Sequence, residues 1–262
     1  MSLAVAQRIA PPTAPPRLPT EDELPCEDDI PMETPRHRFQ MELLIRGLYS
    51  WAADQGDVFV SGNQFVYFNV NQLRGQDFRG PDVFVVRGVS QRERKSWVVW
   101  NEGKGPDVVI EFISDSTAEN DKGAKKTIYQ DQLRVPDYFW MDLFNPEDRC
   151  GFTLSGRRYV PIPRDAEGCL PVPSLGLRLC LWSGEYLGIT ATWLRWAGAQ
   201  GLLLLPEEAE RQRADEEQRR ANEAQRRADE EQQRANGEQR RAEAAEQEIM
   251  RLRAEIDRLR SA

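Results

Sequence analysis

The strand-like run DVVIEFIS, residues 107–114, constrains the fold more than any other segment, because it is apolar on both of its faces. Such a strand is normally central in a sheet and covered by other layers on both sides. Thr34 and Pro35 open an amphipathic helix before it, and residues 117–133 have a helical pattern after it. This order of elements predicts an α/β fold with a mixed sheet flanked by helices.

Further strand-like runs complete the expected sheet. Two of them, residues 57–60 and 64–70, flank Ser61-Gly62-Asn63, which predicts a hairpin turn. A pair around Ser155-Gly156 extends the sheet, and the apolar residues 170–205 finish the domain. The remaining strand-like runs are residues 82–89, 96–100 and 138–143.

The two ends of the chain differ in composition from the middle. Residues 1–32 are rich in proline and acidic side chains, which predicts a flexible segment. Residues 33–205 form the expected α/β domain, and residues 206–262 form a charged helical tail that repeats in sevens. The sequence therefore predicts one folded domain with two appendages.

The last two heptads of the tail carry Ile at one seam position and Leu three places later, a pattern that favours a parallel two-stranded coiled coil. We therefore expect a homodimer through the C-terminal helix, with a lone charged helix as the alternative. The residues of this seam are Ile249, Leu252, Ile256 and Leu259.

Residue counts exclude several classes of protein. His37 is the only histidine, so a zinc site with two or more histidines cannot be built within one chain. The four cysteines show no CxxC spacing and fit reduced thiols. No apolar run approaches the length of about 18 residues that a membrane span needs, and the N-terminal apolar stretch is too short for a signal peptide. We therefore expect a cytoplasmic protein with no membrane contact.

The net charge of −8 argues against nucleic-acid binding through the overall charge of the protein. Binding would therefore require a local basic surface. The candidates for such a surface are Arg87, Arg92, Arg94 and Lys95. The other interpretation is that these residues belong to an exposed loop between strands.

Two carboxylates lie in strand-like segments. Glu111 interrupts the apolar run 107–114, where a dry ionised carboxylate must be paired, protonated or bound to metal. Asp82 follows Gly80-Pro81 at the start of another strand, so its side chain is expected near a strand end. Such a pair suits Mg²⁺ and is the arrangement of metal-dependent nucleases. Asp107 is the alternative first carboxylate, and a salt bridge at the strand end is the alternative role of Glu111.

Lys125 is the third candidate. Asp121 lies four residues before it and Tyr129 four after it, so the three share one face of the 117–133 helix. A lysine over paired carboxylates could orient a water molecule or offset phosphate charge. An Asp–Lys pair on a helix surface is the other interpretation.

The segments GPDVFVV, PDVVIEFISDSTAENDKGAKKTIYQ and VPDYFWMD together resemble the bacterial Uma-two family (Uma2) of restriction endonuclease-like proteins. The resemblance covers about residues 33–200. The matching positions are Pro81-Asp82, Glu111 with Ser114, Ser116-Thr117, Asp121 with Lys125 and Tyr129, and Tyr138 with Asp142.

The resemblance implies a PD-(D/E)XK-type nuclease core and a Mg²⁺- or Mn²⁺-dependent endonuclease that hydrolyses DNA. Asp82 and Glu111 would hold the metal and Lys125 would assist the water nucleophile. In the wider superfamily the lysine lies two residues after the glutamate, where this chain has Ile113, so the resemblance implies that the lysine has moved to the helix. An acid near the first helix is also implied, with Glu33 favoured over Glu42.

A catalytically silent nuclease-like scaffold, which recruits partners or dimerises through its tail, is the alternative function. The sequence does not distinguish DNA from RNA as the substrate.

Overall fold

The computed structural model describes residues 17–20, 22–24, 34–69, 78–113 and 121–260. The chain divides after Pro206 into two compact units. In chain order the elements of the first unit are α1 (Pro35–Gln55), β1 (Val58–Ser61), β2 (Val66–Tyr67), β3 (Phe78–Arg79), β4 (Val83–Arg87), β5 (Trp97–Val98), α2 (Val99–Glu102), β6 (Val108–Ile113), α3 (121–133), β7 (Asp137–Asp142), β8 (Arg149–Ser155), β9 (Arg158–Pro161), β10 (Leu170–Val172), β11 (Leu177–Tyr186), β12 (Ile189–Gly198) and β13 (Gly201–Leu202). The helix α4 (Pro206–Arg260) follows.

Helix α1 begins where the sequence predicts. The Thr34 hydroxyl accepts a hydrogen bond from the His37 backbone N–H, and Pro35 occupies the first helical position. Because this cap satisfies one of the free N–H groups of the first turn, the start of α1 is fixed locally. The helix ends at Gly56, which has a positive φ of 83°.

The central layer is a six-stranded sheet in the spatial order β1-β4-β6-β7-β8-β9. Strands β6 and β7 pair in parallel, and the other neighbours pair antiparallel. Every residue of β6 is buried. The side chains of Ile110 and Phe112 join the core under α1, whereas Val109 joins the core under α3. The predicted α/β fold with a central, doubly covered strand and a mixed sheet is confirmed.

Helix α3 combines π-helical turns over Asp121–Lys125 and Tyr129–Leu133 with a short α-helical stretch between them. It ends at Arg134, which adopts a left-handed conformation before Pro136. The predicted start of this helix, residues 117–120, lies outside the described residues.

Two smaller sheets complete the first unit. The antiparallel sheet β10-β11-β12-β13 packs against α1, where the Gln40 side chain exchanges two hydrogen bonds with the Leu194 backbone and the Trp196 indole donates to the Leu44 carbonyl oxygen. The third sheet has the order β3-β2-β5. This packing holds the N-terminal half of α1 against the body of the domain.

The hairpin predicted at residues 61–63 is wrong, because β1 pairs with β4 whereas β2 pairs with β3 and β5. The Asn63 N–H donates to the Pro81 carbonyl oxygen, so the chain crosses over the 81–82 segment and enters another sheet. The strand predicted at residues 96–100 is shorter than expected. Only Trp97–Val98 is extended, and Val99–Glu102 forms a helical turn.

Gly62 lies against the backbone of Asp82, and an added Cβ would overlap the Asp82 carbonyl oxygen and approach the Ile45 side chain to 2.9 Å. We therefore expect Gly62→Ala to destabilise the fold by about 1–3 kcal/mol, the usual cost of overpacking. The free energy of unfolding in urea measures this. Gly123→Ala is the matched control, because its added Cβ meets no atom within 4 Å. Equal stability of the two variants would contradict the close approach.

The prediction that the cysteines are reduced thiols is wrong for one pair, because Cys169 and Cys180 form a disulfide. The register pairs Leu170 with Leu179, so these cysteines lie opposite each other on adjacent strands with a Cα–Cα distance of 4.4 Å. A sequence separation of 11 residues does not show this, since it depends on strand pairing. Among the described residues Cys150 is a free thiol, and burial raises its pKa.

The second unit is helical throughout its described part, and α4 is continuous over Pro206–Arg260. Glutamines donate to side chains one turn further along, for example Gln218 to Asn222 and Gln225 to Asp229. Such i,i+4 pairs contribute only tenths of a kcal/mol each. The described helices include none that is both long enough and apolar enough to cross a bilayer.

Candidate functional site

Asp82 lies one residue before β4, and both of its carboxylate oxygens accept hydrogen bonds. Oδ1 lies 2.7 Å from Nε2 of His37, and Oδ2 accepts from the Phe112 backbone N–H at 2.6 Å. The Asp82 side chain keeps 15% of its surface exposed. The carboxylate is therefore held at a strand end but remains accessible from outside.

Glu111 is more deeply buried, with only 1% of its side chain exposed. Its Oε1 accepts from the Tyr129 hydroxyl at 2.6 Å, and its Oε2 lies 3.2 Å from Nζ of Lys125. A buried carboxylate requires such partners, because desolvation otherwise costs several kcal/mol. Burial, followed by the nearby Glu111 charge, raises the pKa of Tyr129 well above its ordinary value, so its hydroxyl stays protonated and donates.

Strand pairing places the two residues that carry these carboxylates at neighbouring backbone positions. Val83 of β4 pairs with Ile110 of β6, and the next step in this antiparallel register places Asp82 opposite Glu111. The Phe112 N–H that binds Asp82 belongs to the residue after Glu111. Helix α1 supplies His37 on one side of the sheet, and α3 supplies Lys125 and Tyr129 on the other.

The two alternative acids, Asp107 and Glu42, make contacts of their own. Asp107 directly precedes β6 and lies four residues before Glu111, about 13 Å along an extended strand. Its Oδ2 accepts from the Arg87 backbone N–H at 2.6 Å and pairs with Lys104 at 2.7 Å. Glu42 pairs with Arg46 on the exposed side of α1. Glu33 lies outside the described residues.

Other residues of the resemblance have structural contacts. The Tyr138 ring packs on Tyr129 with ring centroids 5.2 Å apart. The Asp142 side chain accepts from the backbone N–H groups of Phe144 and Asn145 and so closes the turn after β7. The side chain of Asp121 and residues 114–120, which include Ser114, Ser116 and Thr117, lie outside the part that is described.

The four basic residues considered as a DNA-facing surface make internal contacts. Arg94 is buried, with its guanidinium over Phe59 and Trp97 and paired with Glu102, so it cannot contact DNA. Arg92 pairs with the same glutamate. In addition, Arg87 donates to the Ser174 carbonyl oxygen and Lys95 pairs with Asp22. Arg92, Arg94 and Lys95 lie in the loop between β4 and β5, whereas Arg87 is the last residue of β4, so the loop interpretation holds for three of the four residues.

His37 is the site residue that sequence reasoning missed. It is the only histidine, and it lies in the first turn of α1. These two facts mark it as unusual, but its contact with Asp82 spans 45 residues and depends on how α1 packs on the sheet.

The donor set fits a hard divalent cation. Asp82 and Glu111 present carboxylate oxygens, which are the hard ligands that such cations prefer. Within the described ranges no group of three or more His, Cys, Asp or Glu side chains is placed to hold a metal ion. A site of two carboxylates completed by water is typical of Mg²⁺.

In this mixed α/β domain Asp82 lies opposite Glu111 in the register of β4 and β6, and Lys125 contacts Glu111. The family model Uma2, described as "Putative restriction endonuclease", matches residues 27–180. The chain belongs to this family. Restriction endonuclease-like nucleases generally use divalent metal ions.

The comparison with solved structures finds a protein from Anabaena variabilis ATCC 29413, described as "a putative nuclease belonging to DUF820". It is 14% identical, and the match covers 60% of this chain and 90% of that one with a TM-score of 0.41. No curated protein matches the chain.

Proposed function

We propose that this protein is a metal-dependent endonuclease that hydrolyses phosphodiester bonds of DNA. One observation carries the proposal. Asp82 and Glu111 lie opposite each other on neighbouring strands, and Lys125 Nζ lies 3.2 Å from Glu111. Membership of the Uma2 family supports a nuclease function independently of this geometry.

Asp82 and Glu111 would hold Mg²⁺ or Mn²⁺, both of which accept carboxylate oxygens. The bound ion would supply Lewis-acid stabilisation of the phosphate charge and a more acidic water. Lys125 would orient the attacking water and offset charge on the phosphate. Tyr129 keeps Oε1 of Glu111 in place, because its raised pKa leaves the hydroxyl a hydrogen-bond donor at all ordinary pH values.

Cleavage of supercoiled plasmid tests the proposal, with Mg²⁺, Mn²⁺ or EDTA present and with single-stranded DNA and RNA as parallel substrates. We expect nicked or linear DNA with either metal and intact plasmid with EDTA. Cleavage of RNA alone would change the substrate class. A chain that binds Mn²⁺ no better than its Asp82→Asn variant and cuts none of the substrates would instead be a silent scaffold.

We also propose that the protein forms a homodimer through α4. In the described part of this helix Ile249, Leu252 and Ile256 are about half exposed. An apolar stripe of this kind on a long charged helix is typical of a coiled-coil seam. A dimer would supply two active sites, as cleavage of both DNA strands requires.

A further inference from the structure

His37 makes one backbone contact and two ring contacts that fix its position. The N-cap bond from its backbone N–H to Thr34 sets the first turn of α1. The ring packs edge-on against Phe112, with centroids 5.7 Å apart, and its Nε2 lies 2.7 Å from Oδ1 of Asp82. Because a carboxylate oxygen only accepts hydrogen bonds, Nε2 carries the hydrogen.

Asp82 is therefore held by one donor on each oxygen. The Phe112 N–H comes from β6 and fixes the carboxylate relative to Glu111. The His37 ring comes from α1 and fixes the remaining rotation of the carboxylate plane. A side chain without these two donors would sample several rotamers, and ordering it on metal binding would then cost conformational entropy.

We propose that His37 is a positioning residue that orients Asp82 for metal binding. This inference rests on the proposed function, since it concerns Asp82 as a metal ligand. Groups that orient the ligands of a metal site from outside the coordination shell change metal affinity by about 10–100-fold when they are removed. His37 acts in this way through Asp82.

Manganese binding to the full-length protein, measured by electron paramagnetic resonance titration, tests the proposal without requiring cleavage. We expect His37→Ala to weaken Mn²⁺ binding about tenfold. His37→Gln should restore most of the affinity, because its amide nitrogen donates from nearly the position of Nε2. Arg38→Ala is the matched control on the same helix, because Arg38 is exposed and stacks on its neighbour Phe39.

Equal Mn²⁺ affinity of wild type and His37→Ala would overturn the positioning role while leaving the metal site intact. An equal loss in the Ala and Gln variants, with both unfolding at the wild-type temperature, would also overturn it, because the restored donor would then have no effect. If His37→Ala does not fold, the Mn²⁺ affinity of His37→Gln is compared with that of wild type. A tenfold loss in the folded Gln variant would then overturn the positioning role. Absence of Mn²⁺ binding by wild type would instead refute the metal-dependent function on which the inference rests.

The charges that flank the seam of α4 carry a second inference, which concerns the orientation of the two chains and rests on the proposed homodimer. With Ile249 and Leu252 at the seam, Glu248 and Arg253 occupy the two flanking positions, called g and e. In a parallel, in-register dimer Glu248 faces Arg253 of the second chain, and one heptad earlier Arg241 faces Glu246. Both pairs have opposite charges.

An antiparallel dimer would place g positions against g positions and e positions against e positions. In the antiparallel register that sets Ile249 against Leu259, Glu248 would face Glu255 and Arg253 would face Arg260, so like charges would meet. We infer that two copies of this chain pair in parallel and in register through the last heptads of α4. The occupant of the exposed Ile and Leu stripe is thus a second copy of the chain.

Charge reversal tests the orientation in full-length protein by sedimentation velocity. We expect Arg253→Glu to raise the dimer dissociation constant about tenfold, because Glu248 then faces another carboxylate at both symmetric contacts of the dimer. The double variant Glu248→Arg/Arg253→Glu should restore the wild-type constant. Failure of the double variant to restore it would overturn the parallel register, and a wild-type monomer at every concentration would overturn dimerisation.

Discussion

Asp82→Asn is expected to reduce plasmid cleavage about a thousand-fold, which corresponds to ~4 kcal/mol of transition-state stabilisation. The amide oxygen accepts the bond from the Phe112 N–H and the amide NH2 donates to Nε2 of His37 in its other tautomer, so the strand end keeps its shape. It loses the charge that a divalent ion requires, and an ion at such a site contributes several kcal/mol. Initial rates at saturating Mg²⁺, with circular dichroism to verify folding, measure the effect.

The chain contains its own control for this substitution. Gly105-Pro106-Asp107 repeats the tripeptide Gly80-Pro81-Asp82, but its carboxylate binds Lys104 and the Arg87 backbone N–H at the opposite end of β6. Asp107→Asn should therefore cost some stability and leave the cleavage rate of the folded protein unchanged. A comparable loss of activity in both variants would remove Asp82 from the site.

The local parts of the fold could be predicted because their causes are local. Thr34 and Pro35 define the start of α1, and the two-sided apolar pattern around Ile110 marks β6 as a central strand. The pairing of β1 was not predictable in the same way. The segment 61–63 resembles a hairpin turn, but Asn63 bonds to Pro81, and that contact exists only after the strands assemble.

The residues of the candidate site also differ in whether they could be predicted from local sequence. Asp82 and Glu111 could be selected because carboxylates stand out in apolar strands, and Lys125 because it shares a helix face with Tyr129. The resemblance to the family motif indicated that these three residues act together. His37 could not be selected, since its partner lies 45 residues away and nothing in its own segment indicates a strand end. A single histidine in the first turn of a helix is a signal only once the packing of that helix is known.

Lys125→Met is expected to separate catalysis from metal binding. We expect cleavage to fall about a hundred-fold, the usual range for losing a positioned donor or acid–base group. Mn²⁺ affinity should stay the same or rise, because the ammonium group 3.2 Å from Glu111 competes with a cation for that carboxylate. A residue that served only to neutralise Glu111 would give the opposite result, namely unchanged cleavage in the folded protein.

Stability must be measured beside activity, because the substitution removes a donor to a carboxylate that is 1% exposed. The Tyr129 hydroxyl remains, and Lys125 itself is partly exposed, so we expect a cost of about 1–3 kcal/mol in unfolding free energy. Lys126→Met is the matched control, since the neighbouring ammonium lies over the Phe152 ring, away from the carboxylates. If Lys125→Met and Lys126→Met cut DNA at the wild-type rate, the lysine of this nuclease lies elsewhere, and Glu111 uses Lys125 only as its counter-ion.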